Sequence, residues 1–315
     1  MGINALGSVV HGDMNGVQIT GLANLAGGTM RGVQLAGISN ISGDNTVGLS
    51  AAGLVNITGD KAQGVVISGL TSIGGDNNSG LMISGFMNVT GNMASGLHFS
   101  GVANITGQSF GGLMASGLLN VVGEHMNGLQ IAGIANITAS KLNGVQVALC
   151  NYATKARGLQ IGLVNYYKED MKGFQLGLVN ANPDTKVQMM VYGGNATPAN
   201  IGVRFKNQLF YTILGVGSMY QGLNNKFSAS ASYRAGLSFP LYKGLSISGD
   251  LGYQHIEAFD NKDEVIPKRL YALQARANLE YQFTKKFGIF ATGGYGVTSC
   301  LLYTSPSPRD YAASR

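Results

Sequence analysis

Apolar and polar positions recur along the first half of the chain with a period of sixteen residues. Glycine marks the period at Gly16, Gly32, Gly48, Gly64, Gly80, Gly96, Gly112, Gly128 and Gly144. A second glycine ladder starts at Gly21 and a third at Gly27. Aliphatic columns run between them, one from Val17 to Leu129 and one from Leu25 to Ile137. One polar column holds Asn24, Asn40, Asn56, Asn88, Asn104, Asn120 and Asn136, with Ser72 as its exception. A helix needs apolar spacing near 3.6, and each glycine would cost it about 1 kcal/mol. Within a unit the alternation holds for one short segment and then changes phase. That pattern predicts a β-solenoid, in which short strands are separated by corners and glycine suits corners that need positive φ. Coils stack at about 4.8 Å, so nine make a rod of roughly 40 Å. The asparagines are then expected to form a structural ladder, each amide bonding to its copies above and below.

A rival reading makes each repeat one strand of a barrel. The phase change argues against it for residues 16–143. It does not for Gly158–Asn165 and Gly173–Asn180, where the spacing shortens by about one residue and alternation runs unbroken. Solenoid caps and barrel strands both fit those late units.

From about Lys186 the pattern becomes long alternating segments. Leu245, Ile247, Leu251 and Tyr253 share one face, and Ser246, Ser248, Asp250 and Gly252 the other. Tyr271–Phe283 and Phe227–Phe239 repeat the scheme, with Gln274, Arg276, Asn278 and Glu280, and then Ser228, Ser230, Ser232 and Arg234, on the polar side. Seven strands are expected, near Val187–Tyr192, Asn200–Phe205, Leu209–Val216, Phe227–Phe239, Leu245–Ile256, Leu270–Phe283 and Phe287–Thr298. The longer ones exceed the usual five or six residues and suit tilted membrane strands. Short turns near Lys206, Leu241–Gly244 and Thr284 alternate with longer loops near Asn195–Asn200, Ser218–Asn225 and Phe259–Pro267, as in outer-membrane barrels. Aromatics gather beside the turns at one end (Phe239, Tyr242, Tyr281, Phe283, Phe287) and toward the other (Tyr220, Phe227, Tyr253, Phe259, Tyr271), like interface girdles. A soluble sandwich fits the alternation equally well; strand length and loop asymmetry favour an antiparallel up-and-down β-barrel whose eighth strand is missing.

Composition narrows the class. The chain has 48 glycines, 6 prolines, no tryptophan and 11% charged residues among 315. Collagen needs a three-residue glycine period, and 45% hydrophobic content is enough for a core. The net charge of +6 is spread without a basic run, so no nucleic-acid partner is expected. Met1–Val10 lacks the basic and apolar regions of a secretory signal. The stretch from Cys300 breaks the preceding pattern and resembles a translated sequencing adapter, so residues 300–315 are taken as a non-native tail on a truncated chain. Cys150 is then the single native cysteine and no intrachain disulfide is expected.

Candidate chemistry is sparse. His11, His98, His125 and His255 are scattered without a second metal ligand at a suitable spacing. Asp44, Asp60 and Asp76 recur at one repeat position, where a solvated turn is the simpler reading. Asn-x-Thr triplets at Asn56, Asn88, Asn104 and Asn136 match glycosylation acceptors but follow automatically from the repeat. Arg234, Asp250, Arg276 and Glu280 are expected to point into the barrel lumen and pair there. No nucleophile–base–acid set stands out, so no catalytic residue, metal or cofactor is expected.

The octapeptides Gly158–Asn165 (GLQIGLVN) and Gly173–Asn180 (GFQLGLVN) resemble those of bacterial surface-repeat proteins, with degenerate copies over residues 2–182. The early units depart from that pattern by an extra residue before the second glycine. The remainder is similar to small outer-membrane β-barrels. The resemblance implies a surface location and no catalytic residues. The expectation is therefore an all-β chain: a repeat β-solenoid over residues 1–182, outer-membrane-type strands over 183–299, and the tail. Its expected role is that of a non-enzymatic outer-membrane and cell-surface protein of a diderm bacterium. The barrel anchors in outer-membrane lipid, and the repeat is displayed for adhesion to an envelope or host-surface ligand. An outer-membrane pore for small solutes is the second expectation. A carbohydrate-active solenoid enzyme ranks last, because no repeat column gathers acids and aromatics.

Overall fold

A computed structural model describes residues 2–194, 197–221, 226–259, 268–284 and 287–300. The expected loop residues 195–196, 222–225 and 260–267, the pair Lys285 and Lys286, and the adapter-like residues 301–315 lie outside the described residues. Strands dominate, and no helix occurs among the described residues. The chain divides into two compact units, Met1–Gly177 and Leu178–Arg315.

The first unit is a β-solenoid. A coil has a long strand such as Asn77–Ser84, a corner, a four-residue strand such as Met87–Thr90, and a second corner. Equivalent residues of successive coils pair in parallel, so Gly80 meets Gly96 and Asn88 meets Asn104. The late octapeptides continue the stack as coils: Gly144 pairs with Gly158 and Gly158 with Gly173. Bulges at Thr138/Lys141 and Ala153/Lys155 absorb their shorter spacing. There the short strand merges with the next long one, as in Ala135–Val147.

Positive φ does not fall where the sequence led us to expect it. Eleven glycines, from Gly16 to Gly173, hold φ between +107° and +146°, and they sit inside the long strands (Gly80 within Asn77–Ser84), not at corners. Corner glycines are required for another reason. A Cβ on Gly101 would lie 2.0 Å from the carbonyl oxygen of Gly85, one coil earlier. The stack is too close there for any side chain.

The interior of the coils is polar and thin. Gln18, Asn24, Gln34, Asn40 and their equivalents are buried, together with a shorter run of apolar packing around Phe110, Met114, Met126 and Leu142. The aliphatic columns face outward. Ile83, Phe86 and Leu97 are exposed, as are Leu22, Ile38, Leu54, Leu70, Leu118, Ile134, Leu149 and Leu163, which form a ridge along one corner. Acids and amides occupy the opposite corner, at Asp44, Asp60, Asp76 and Glu124.

The second unit contains a sheet of seven antiparallel strands in sequence order. We label them β1 (Lys186–Tyr192), β2 (Ala199–Asn207), β3 (Phe210–Gln221), β4 (Lys226–Tyr242), β5 (Leu245–Phe259), β6 (Lys268–Gln282) and β7 (Gly288–Cys300). Tight turns join β2 to β3 and β4 to β5, where Gln208 and Gly244 take positive φ. Contacts reach across the curl of the sheet: Arg204 on β2 pairs with Glu280 on β6, and the Tyr192 ring on β1 lies 6.5 Å from Phe290 on β7. The enclosed face is polar and the outer face apolar. Ser228, Arg234, Ser248, Asp250 and Asn278 are buried, while Met189, Val191, Leu251, Leu273 and Tyr295 are each more than 65% exposed.

Candidate functional site

Both units enclose polar side chains, and these interiors hold the residues singled out from the sequence. In the solenoid, Asn24 Nδ2 donates to Asn40 Oδ1 at 2.8 Å and Asn40 to Asn56 at 3.0 Å. The series resumes from Asn88 through Asn104 and Asn120 to Asn136, with spacings of 2.8–3.0 Å. It continues to Asn151 and Asn165, beyond the column read from the sequence. Each Nδ2 also donates to a backbone carbonyl around the corner; for Asn104 this is Ala115 at 2.8 Å. The amide thereby ties the short strand of one coil to the long strand of the next.

Ser72 interrupts the ladder without breaking the chain of hydrogen bonds. Asn56 Nδ2 donates to Ser68 Oγ, which bonds Ser72; Ser84 Oγ bonds Ser72 and donates to Asn88 Oδ1. Two flanking serines take up the space of the missing amide.

A second buried column went unread in the sequence. It runs Gln18, Gln34, Ser50, Val66, Met82, His98, Met114, Gln130, Gln146, Gln160 and Gln175, every member at least nine-tenths buried. Its glutamines bond coil to coil, Gln146 to Gln130 at 2.8 Å and Gln160 to Gln146 at 2.9 Å. The sixteen-residue spacing of Gln18/Gln34 and Gln130/Gln146 was the available signal, but the middle coils replace glutamine with smaller or apolar residues. His98 stands there between Met82 and Met114, with its ring 4.9 Å from Phe110 and its Nε2 buried without a hydrogen-bond partner. Desolvation by burial pushes its pKa down from 6.5 to about 4.

The curled sheet holds the four expected charges, but they do not pair with one another among the described residues. Glu280 is held by the bidentate guanidinium of Arg204, a residue not foreseen, and also accepts from Ser248 Oγ at 3.1 Å. Asp250 Oδ2 accepts from Tyr211 Oη and Asn278 Nδ2, both at 2.8 Å. Arg234 places its guanidinium carbon 4.4 Å from the centroid of the Tyr192 ring. Arg276 donates to Gln274 Oε1. Glu280 is thus paired with a charge as burial requires, whereas Asp250 is held by neutral donors and its Oδ1 has no hydrogen-bond partner.

The other candidates separate cleanly. Asn56, Asn88, Asn104 and Asn136 are buried inside the coils, which keeps their triplets from serving as glycosylation acceptors in the folded chain. Asp76 accepts from Asn92 Nδ2 at 2.5 Å within its corner, and Asp13 from Thr29 N at 2.8 Å. Among the described residues no group of three or more His, Cys, Asp or Glu side chains is placed to hold a metal ion. His255 and Glu257 lie 3.4 Å apart on β5, and Arg269 approaches Glu257 at 3.5 Å. Cys150 is a free, exposed thiol. Comparison with protein-family models, curated proteins and solved structures found no match to this chain.

Proposed function

We propose that the seven-stranded sheet of the second unit belongs to an outer-membrane β-barrel and that the chain is a non-enzymatic surface protein. In this reading the barrel anchors it in lipid and presents the repeat unit for contact with other surfaces. One observation carries the membrane assignment: the sheet is inverted relative to a soluble protein. Arg204, Arg234, Asp250 and Asn278 are at most 7% exposed, whereas Leu251 and Leu273 are 71% and 67% exposed. In water that arrangement is costly on both faces; in hydrocarbon it is the stable one. Two groups of exposed aromatics flank the aliphatic band. Phe239, Tyr242, Tyr281, Phe283 and Phe287 stand at the short-turn end, and Phe227, Tyr253 and Phe259 toward the other. Leu245 and Tyr253 are separated by roughly 27 Å of strand at about 3.4 Å per residue, and tilt brings this within the ~25 Å apolar band of such barrels. The outward residues His255, Glu257 and Arg269 lie past Tyr253, between it and the Phe227–Phe259 pair.

The anchor reading is favoured over a pore by the cross-links inside the sheet. Arg204–Glu280 and Tyr211–Asp250–Asn278 bridge strands two or more apart and fill the interior there. The aliphatic ridge of the solenoid supports a contact role for the repeat, since exposed apolar patches of such extent mark interaction surfaces. Expression of the chain behind an export signal in a diderm host tests the proposal. The product is expected to fractionate with outer membranes and to migrate differently on gels before and after boiling, without raising bilayer conductance. A soluble, unshifted product removes the membrane assignment, and steady conductance replaces the anchor with a pore.

A further inference from the structure

Two arginines inside the curled sheet line one cavity, and neither is in direct contact with a carboxylate among the described residues. The cavity measures about 330 Å³, and Arg234, Arg276, Gln254, Gln274, Asn200 and Tyr192 are among its walls. Arg234 is only 4% exposed. No carboxylate among the described residues comes within 4.0 Å of either guanidinium, although such pairs occur elsewhere in the sheet. The nearby acid, Asp250, faces Arg276 across the β5–β6 ladder and attracts it without touching it: its Oδ2 is taken by Tyr211 and Asn278, and its Oδ1 is buried without a hydrogen-bond partner. Glu280 is taken by Arg204, with Lys206 beside it, so it is not the counter-charge of Arg234 or Arg276. Leaving buried positive charge uncompensated is expensive, and a bound anion relieves it.

The surroundings hold the two guanidiniums in place. Arg234 is stacked on Tyr192, and Arg276 is tied to Gln274, whose own Nε2 donates to Gln254 Oε1 at 3.2 Å. Gln254 Nε2 in turn donates to Thr197 Oγ1 and Ser230 Oγ, both at 3.0 Å. The amide donors are thus engaged by Gln254 Oε1 and by the Thr197 and Ser230 hydroxyls, while both guanidiniums line the cavity. A planar fork of N–H groups matches the oxygens of a phosphate group, and two forks on one cavity make that match specific.

We infer that this cavity is a binding site for a phosphate-type oxyanion, either inorganic phosphate or the phosphate of a small monoester, held between Arg234 and Arg276. The inference concerns the interior of the sheet and stands whether or not its outer face meets lipid.

The test uses the full chain, purified in detergent and freed of phosphate. Inorganic phosphate and glycerol phosphate are titrated separately by calorimetry against chloride at equal ionic strength, and the ³¹P resonance of each probe is followed. Saturable one-to-one binding of either probe is expected, together with broadening of its resonance. Arg276→Gln should weaken binding roughly tenfold or more, as loss of a charge-assisted hydrogen bond implies, while Arg269→Gln, on the outer face, should leave it unchanged. Absence of saturable binding of both probes by the wild-type chain overturns the inference, and so does equal binding by folded Arg276→Gln. The wild-type resonance decides the matter even where a variant does not fold.

Discussion

A single imidazole gives the solenoid a pH dependence of known sign. His98 occupies a column position filled by methionine in the coils on either side. Its pKa is depressed to about 4 in the folded chain and near 6.5 when unfolded. Between those values the unfolded chain binds the extra proton, so stability falls as pH drops through the window and is fully retained above it. The loss is on the order of 3 kcal/mol by pH 4. Unfolding followed by circular dichroism across pH 4–7 should show this slope, and His98→Met should flatten it; an unchanged slope in the variant assigns the effect elsewhere. The asparagine ladder offers a second residue-level test. Asn104→Ala leaves neighbouring amide groups and the Ala115 carbonyl without partners and should cost about 2–3 kcal/mol. Asn104→Ser should cost distinctly less, because Ser100 and Ser116 flank it as Ser68 and Ser84 flank Ser72. Equal costs in denaturant titrations would remove the serine bypass as an explanation.

At the scale of elements, glycine does two different jobs in one coil, and substitution separates them from a third kind that does none. Gly101→Ala drives a Cβ to 2.0 Å from a backbone carbonyl of the neighbouring coil, and neither side can yield without opening the stack. Gly111, in the strand Ser109–Ser116, has open space where its Cβ would stand. Gly101→Ala should therefore lower the melting temperature sharply and Gly111→Ala should leave it nearly unchanged; comparable losses would mean that coil spacing is not what holds the corner glycines. Much of this was legible in the sequence. The period of sixteen, the asparagine column and the strands β4 to β6 follow from spacing alone. Which way the aliphatics point does not, because alternation defines two faces without saying which is enclosed. Val17 and Leu25 look like core positions until the coil closes on Gln18 and Asn24. Nor could spacing show that Glu280 belongs to Arg204, since partners 76 residues apart meet only through the curl of the sheet. The glutamine column was hidden by five consecutive coils that carry other residues there.

In both units polar side chains are enclosed and aliphatics stand outside, although the solenoid also encloses apolar clusters around Met30, Val66 and Met114. In the solenoid the exposed aliphatics form a ridge along one corner and extend onto the strands at Ile83 and Leu97, with the opposite corner polar, which suits a body that touches an apolar surface along one side. In the sheet apolar exposure is clearest on the outer faces of β1, β5, β6 and β7, at Met189, Val191, Leu251, Leu273 and Tyr295, which suits immersion. The outward apolar face of the sheet can be tested directly, because the chain contains no tryptophan. We would introduce one, as Leu251→Trp on the outer face of β5, reconstitute the full chain into vesicles, and compare its fluorescence in ordinary and brominated lipid. The account predicts blue-shifted emission strongly quenched by the brominated chains, with Gln254→Trp on the enclosed face of the same strand largely protected. Red-shifted emission from Leu251→Trp, unaffected by bromine, would place that face in water and contradict the account.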